Sequence, residues 1–244
     1  MKTTSLLKTF TITLLGVYLA MTTALVYFLT SANRIVHAVV SMGAGLILVW
    51  VFLGGSLMYF FRNRIKGWIL RLPVPWTVKF VLFCTLLAMA EEAVTTTMTN
   101  LAPVFGVKVG QAYITASANY LDVILHHSVI VFIPWFIAWA WILSRYSFGT
   151  FWVFILFGLN GLLAETLTFG WNHLTEFAMW IFVYGLMIYL PAYTLPGRPG
   201  AQAPKVWHAF LSLLVPFLIG IPWAIFIHLL SPNHPNIHFP PIQP

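Results

Sequence analysis

Seven mostly apolar stretches, 9–30, 37–61, 80–101, 114–143, 148–169, 177–193 and 206–230, alternate with short polar segments along the 244-residue chain. Crossing a bilayer as an α-helix takes roughly 20 such residues, with 17 at the short end of the range. The pattern predicts an all-α, polytopic transmembrane helix bundle of about seven spans, forming a single integral membrane domain over 1–244. The first stretch follows two lysines, yet it is long for a signal-peptide core and has no small-x-small cleavage site, so it reads as a retained helix. Two connectors stand out: 62–79, and "LPGRPGAQAP" at 195–204, whose Pro and Gly content marks a flexible loop. The tail "SPNHPNIHFPPIQP", 231–244, predicts an extended proline-rich segment on the outer face. Its His234 and His238 are expected to bind a metal weakly at most, as is usual for histidines on exposed tails.

Composition supports the membrane assignment. The chain is 60% hydrophobic and only 7% charged, against about 25% charged in soluble domains. The basic residues also fix an orientation. With the N-terminus cytoplasmic and the C-terminus outside, Lys2, Lys8, Arg62, Arg64, Lys66, Arg71, Lys79, Arg145, Arg198 and Lys205 fall inside and only Arg34 and Lys108 outside. This asymmetry accounts for the net charge of +7, so the basic loop meets anionic lipid headgroups and no nucleic-acid partner is expected. The implied location is the cytoplasmic (inner) membrane of a prokaryote. A lone cysteine, Cys84, excludes an intramolecular disulfide and a cysteine metal cluster.

The five acids carry the chemical signal. Glu91, Glu92, Asp122 and Glu165 lie inside predicted spans, and Glu176 lies at an outer boundary. A charge at the bilayer centre costs at least about 2.5–3.5 kcal/mol, so four of them imply a shared polar interior. Helical spacing puts Thr85, Glu92, Thr96 and Thr99 on one face, with Glu91 about 100° away. On the next span it aligns Thr115, Asn119, Asp122 and His126, so Asp122 sits one turn from His126 and beside His127. Asn119, Asn160 and the threonines fit interhelical hydrogen-bond glue. Catalytic candidates are therefore Glu91, Glu92, His126, His127 and Asp122. Glu92, His126, Glu165 and His173 form a candidate metal set, being ligand types for zinc, iron or manganese.

The adjacent glutamates of "AEEAVTTTMTN" and a histidine 34 or 35 residues later resemble the intramembrane CAAX-protease and bacteriocin-processing family, over roughly residues 80–170. That family carries Glu-Glu-x-x-x-Arg, Phe-x-x-x-His and His-x-x-x-Asn/Asp motifs. Here Thr96 occupies the arginine position, Asp122 or Val123 the phenylalanine position, and Phe157 and Gly161 the third-motif positions. The resemblance implies a glutamate- and histidine-activated water that attacks a peptide bond. It also admits a non-catalytic outcome, since a related seven-span subunit of the presenilin complex is a scaffold.

Three functions follow as expectations. The first is a membrane-embedded hydrolase of peptidase type, needing no cofactor or a divalent metal such as zinc, and acting on a membrane-bound peptide. The second is a non-catalytic or cofactor-holding subunit of a larger membrane complex. The third is a proton-coupled transporter, with buried acids as relays.

Overall fold

The computed structural model describes residues 2–243, with side chains from Leu6 onward. Helix α1 (Lys2–Leu29) is followed by α2 (Arg34–Leu46), a π-helical stretch (Ile47–Gly54) and α3 (Gly55–Arg71). The last three run on as one 38-residue rod. At 1.5 Å per residue that rod is about 57 Å long, far more than the ~30 Å hydrocarbon core, so one end must leave the membrane. Arg62, Arg64, Lys66 and Arg71 are at that end, within a segment expected to be a loop. Only 72–75, "LPVP", breaks the helix, because proline lacks the N–H and clashes with the preceding turn. Helix α4 (Trp76–Asn100) starts directly after Pro75.

The remaining helices are α5 (Tyr120–Asp122), a π turn (Val123–His127), α6 (Val129–Arg145), α7 (Thr150–Phe169), a 3₁₀ turn (Trp171–Glu176), α8 (Phe177–Tyr193) and α9 (Val206–Leu230). Five elements are long and apolar enough to cross a membrane, and the bent pair around Ser128 makes a sixth. The chain is thus an all-helical, multi-pass integral membrane protein. Helices α4, α6, α7 and α8 surround the core, where Phe136, Trp139, Phe157 and Met187 are fully buried. By contrast, α1 and α9 show most of their apolar side chains outward.

Small residues let these helices approach closely. A Cβ on Gly158 of α7 would stand 2.6 Å from the Ile181 carbonyl oxygen of α8, and one on Gly161 would overlap the Tyr184 ring. A Cβ on Gly220 of α9 would overlap the Trp135 indole of α6. Asn160 ties three helices: its Oδ1 accepts from Trp139 Nε1 at 3.2 Å, and its Nδ2 donates to Leu213 O at 2.9 Å.

The loops gather at two ends. At one, Arg198 donates to Leu143 O, Ser147 pairs with Gln202, and Tyr193 bonds Asn63. At the other, the 101–119 connector meets the C-terminal tail, with Tyr113 stacked on Phe239 at 4.8 Å.

The fourth expected span, 114–143, is not one helix. Residues 113–119 are irregular and lie along α4, helix begins only at Tyr120, and the axis bends by 50° around Ser128. The cause is local. Ser117 Oγ accepts the Asn119 N–H, and Asn119 Oδ1 accepts the Leu121 N–H, side-chain bonds that compete with helix upstream and cap it downstream. The aligned face of Thr115, Asn119, Asp122 and His126 therefore does not form.

The Gly158 contact gives a test of the packing. Gly158→Ala should destabilise the protein by about 1–3 kcal/mol, as overpacking against backbone does. Gly43→Ala, with nothing within 4 Å of the added Cβ, should be neutral or slightly stabilising. Thermal midpoints of the two variants in detergent check both signs.

Candidate functional site

The corner between α5 and α6 brings charge and imidazole together. In an α-helix, residues five apart point about 140° away from each other. Here the Ser128 N–H reaches back five residues to Val123 O at 3.0 Å, and the widened turn presents both His126 and His127 to Asp122. His126 Nδ1 lies 3.3 Å from Asp122 Oδ1, and His127 Nε2 lies 3.4 Å from Asp122 Oδ2. Such single π turns recur at functional sites. Hydrogen bonds hold the corner against α4: Tyr120 donates to Met89 O at 2.7 Å, and Asn100 Nδ2 donates to Ala118 O at 2.9 Å.

The tail completes the cluster. After α9 ends at Leu230 the chain turns, with the His234 N–H on Ser231 O, and runs back over the corner, where the His238 N–H donates to Ala116 O at 2.8 Å. His234 Nε2 is then 2.8 Å from Asp122 Oδ1, and His238 Nε2 is 3.0 Å from Asp122 Oδ2. The expectation of idle tail histidines is corrected: both are docked, with side chains 23% and 33% exposed. The HPNIH spacing was the available signal. What it could not tell was where the tail lands.

The buried glutamates form a second, adjoining group. Glu91 and Glu92 are 4% and 7% exposed on α4. Glu92 Oε2 accepts from Thr95 at 2.9 Å and from Thr115 at 3.5 Å. Ser128, the residue after His127, turns its buried hydroxyl toward the same carboxylate, close to it but short of a well-aligned hydrogen bond. Glu165 accepts from the Tyr184 hydroxyl, and its charge is within reach of Glu91 and Glu92.

Of the expected catalytic residues, the structure thus groups Asp122, His126 and His127 at the corner and puts Glu92 on its inner side, with Glu91 next to it. It does not gather Glu92, His126, Glu165 and His173 as metal ligands. His173 pairs with Glu176 at 3.0 Å, because the 3₁₀ turn puts residues three apart on one face, and His126 only flanks the donor group. Among the described residues, the four that converge are Asp122, His127, His234 and His238, with ligand atoms within 4.8 Å of one another.

No family model matches the chain, and neither a curated protein nor a solved structure matches it. The family resemblance therefore rests on the two glutamates and the histidine spacing.

If Tyr120 pins the corner, Tyr120→Phe should lower stability by about 0.5–1.5 kcal/mol, the net value of one hydrogen bond. Hydrogen exchange should quicken over 113–127 and stay unchanged in α7 and α8. An equal effect throughout would show that the bond is not local to the corner.

Proposed function

We propose that this chain is a membrane-embedded hydrolase of peptidase type, working in the outer half of the bilayer. The observation that supports it best is the position of Glu92, a buried carboxylate one residue, Ser128, away from the histidine corner. Glu92 takes a proton from water as the oxygen attacks a carbonyl carbon. The Ser128 hydroxyl and the His126 ring, both at the corner, steady the oxyanion, and the proton passes to the leaving amine. Glu91 supports the site as a neighbour of Glu92 and Glu165.

A groove of about 410 Å³, lined by Thr96, Thr97, Asn100, Ala118 and Tyr120 among others, gives a lipid-embedded substrate a way in. The Thr96 hydroxyl, which has no partner, is there to order a water or a peptide group. The peptide-bond assignment follows from the resemblance of the Glu-Glu and His spacing. A proton-relay transporter fits less well, because the core beyond the glutamates is apolar: Phe80, Cys84, Ala88, Phe136 and Trp139.

In this reading there are seven crossings, α1, α2–α3, α4, α5–α6, α7, α8 and α9, in a prokaryotic inner membrane. The Arg62–Arg71 end faces the cytoplasm and the tail faces out. Because Cys84 is buried, the native thiol gives little background for labelling introduced cysteines in intact cells. Cysteines at 108 and 236 should label from outside, and one at 66 only after lysis. The reverse pattern would invert the topology.

Catalysis has its own test. Against membrane-embedded peptide substrates, Glu92→Gln should remain folded and lose about 10²–10⁴-fold in rate, the usual contribution of a general base, while Glu91→Gln should lose less. Full turnover by Glu92→Gln would sink the hydrolase mechanism.

A further inference from the structure

We infer that Asp122, His127, His234 and His238 form a centre for a single divalent transition metal of the zinc class, which clasps the C-terminal tail to the α5–α6 corner. The inference stands apart from the hydrolase reading, since it needs neither Glu91 nor Glu92.

Three observations carry it. The first is convergence. Three imidazole Nε2 atoms surround one carboxylate, at 2.8 Å, 3.0 Å and 3.4 Å from its oxygens. Tetrahedral zinc, with bonds of roughly 2.0–2.1 Å to nitrogen and oxygen, sets its ligand atoms about 3.3 Å apart. The four ligand atoms here, all within 4.8 Å of one another, need little adjustment to reach that geometry.

The second is dissatisfaction. Asp122 Oδ2 and His127 Nε2 are buried and face each other at 3.4 Å, and neither makes a well-aligned hydrogen bond, although His238 Nε2 stands 3.0 Å from the same Oδ2. Buried polar atoms are nearly always partnered, and a cation between the carboxylate and the imidazole lone pairs would partner both. His126 adds the surround expected of such a centre. Its ring stacks on His234 at 4.3 Å, and its Nδ1 lies 3.3 Å from Asp122 Oδ1, which steadies a ligand ring and the ligating carboxylate.

The third is the construction of the tail. Pro232 and Pro235 flank His234, and Pro240 and Pro241 follow Phe239. Fixed proline φ angles lower the entropy of the free tail, and Phe239 stacks on Tyr113. The two tail ligands are held in place by packing of their own.

The donor set selects the metal class. Three imidazoles and one carboxylate suit zinc, copper(II), nickel or iron(II), whereas magnesium and calcium favour all-oxygen shells. Four protein donors complete a tetrahedral zinc shell, which marks a structural centre.

Full-length protein, purified in detergent through a tag without histidine and loaded with Zn²⁺, should retain one zinc per chain by elemental analysis after desalting. Asp122→Asn, and His234→Gln with His238→Gln, should weaken Zn²⁺ binding in chelator competition by more than 100-fold. His126→Ala should cost about 10–100-fold, as supporting residues do. His228→Ala, on the exposed end of α9, should bind as the parent does. Glu92→Gln should also keep its zinc, separating this centre from the catalytic reading, and Co²⁺ loading should give the visible absorption of a tetrahedral site. Chelation should speed hydrogen exchange in 231–243. Parent protein that holds no zinc after desalting, or variants that bind like the parent, would show a hydrogen-bonded His–Asp cluster only and overturn the assignment.

Discussion

The carboxylate of Asp122 has four imidazoles within 3.4 Å of its oxygens, and the architecture of one end of the molecule is organised around it. Two of the rings come from the π turn that follows Asp122 and two from a tail more than 100 residues later in the chain. A lone carboxylate among apolar helices would be costly. Surrounded by histidines, it becomes an anchor that joins the tail after α9 to the α5–α6 corner through segments with no regular structure. The irregular stretch 113–119, the bend around Ser128 and the folded-back tail all meet there.

Irregular backbone near membrane depth is tolerated only where its polar groups are met by protein or face a water-lined cavity. Here the partners can be named. Thr99 accepts the Ile114 N–H, Asn100 donates to Ala118 O, and Ala116 O takes the His238 N–H. The threonines and asparagine at the end of α4 therefore serve the neighbouring segment as much as the glutamates. The same polar helix face binds the 113–119 stretch and leads inward to Glu92.

Helices α7, α8 and α9 are held differently. Glycines at 158, 161, 185 and 220 let α7, α8 and α9 approach until backbone meets backbone or ring, and Asn160 supplies the polar link.

Much of this was legible in the sequence, and the reasons are local. Apolar runs of 17–25 residues mark helices because backbone groups in lipid must bond within their own segment. The four acids inside the apolar runs stand out because each is expensive there. The short link between α7 and α8 also follows from neighbouring residues, whereas 62–79 was expected to be a connector and only 72–75 is one, because the charges of 62–71 sit on a continuing helix. Less legible was the corner. Asn119 and Ser117 carry side-chain signals for a helix start, but periodicity alone reads through them, so a helical face was expected where the chain is irregular. Furthest from reach were His234 and His238, which look like ordinary tail residues until α9 ends above Asp122. The sequence by itself determined that this is a helical membrane protein with buried carboxylates. Only the tertiary structure decided which imidazoles surround Asp122, because helical spacing governs neighbours a few residues apart, and contacts across 100 residues depend on where whole helices pack.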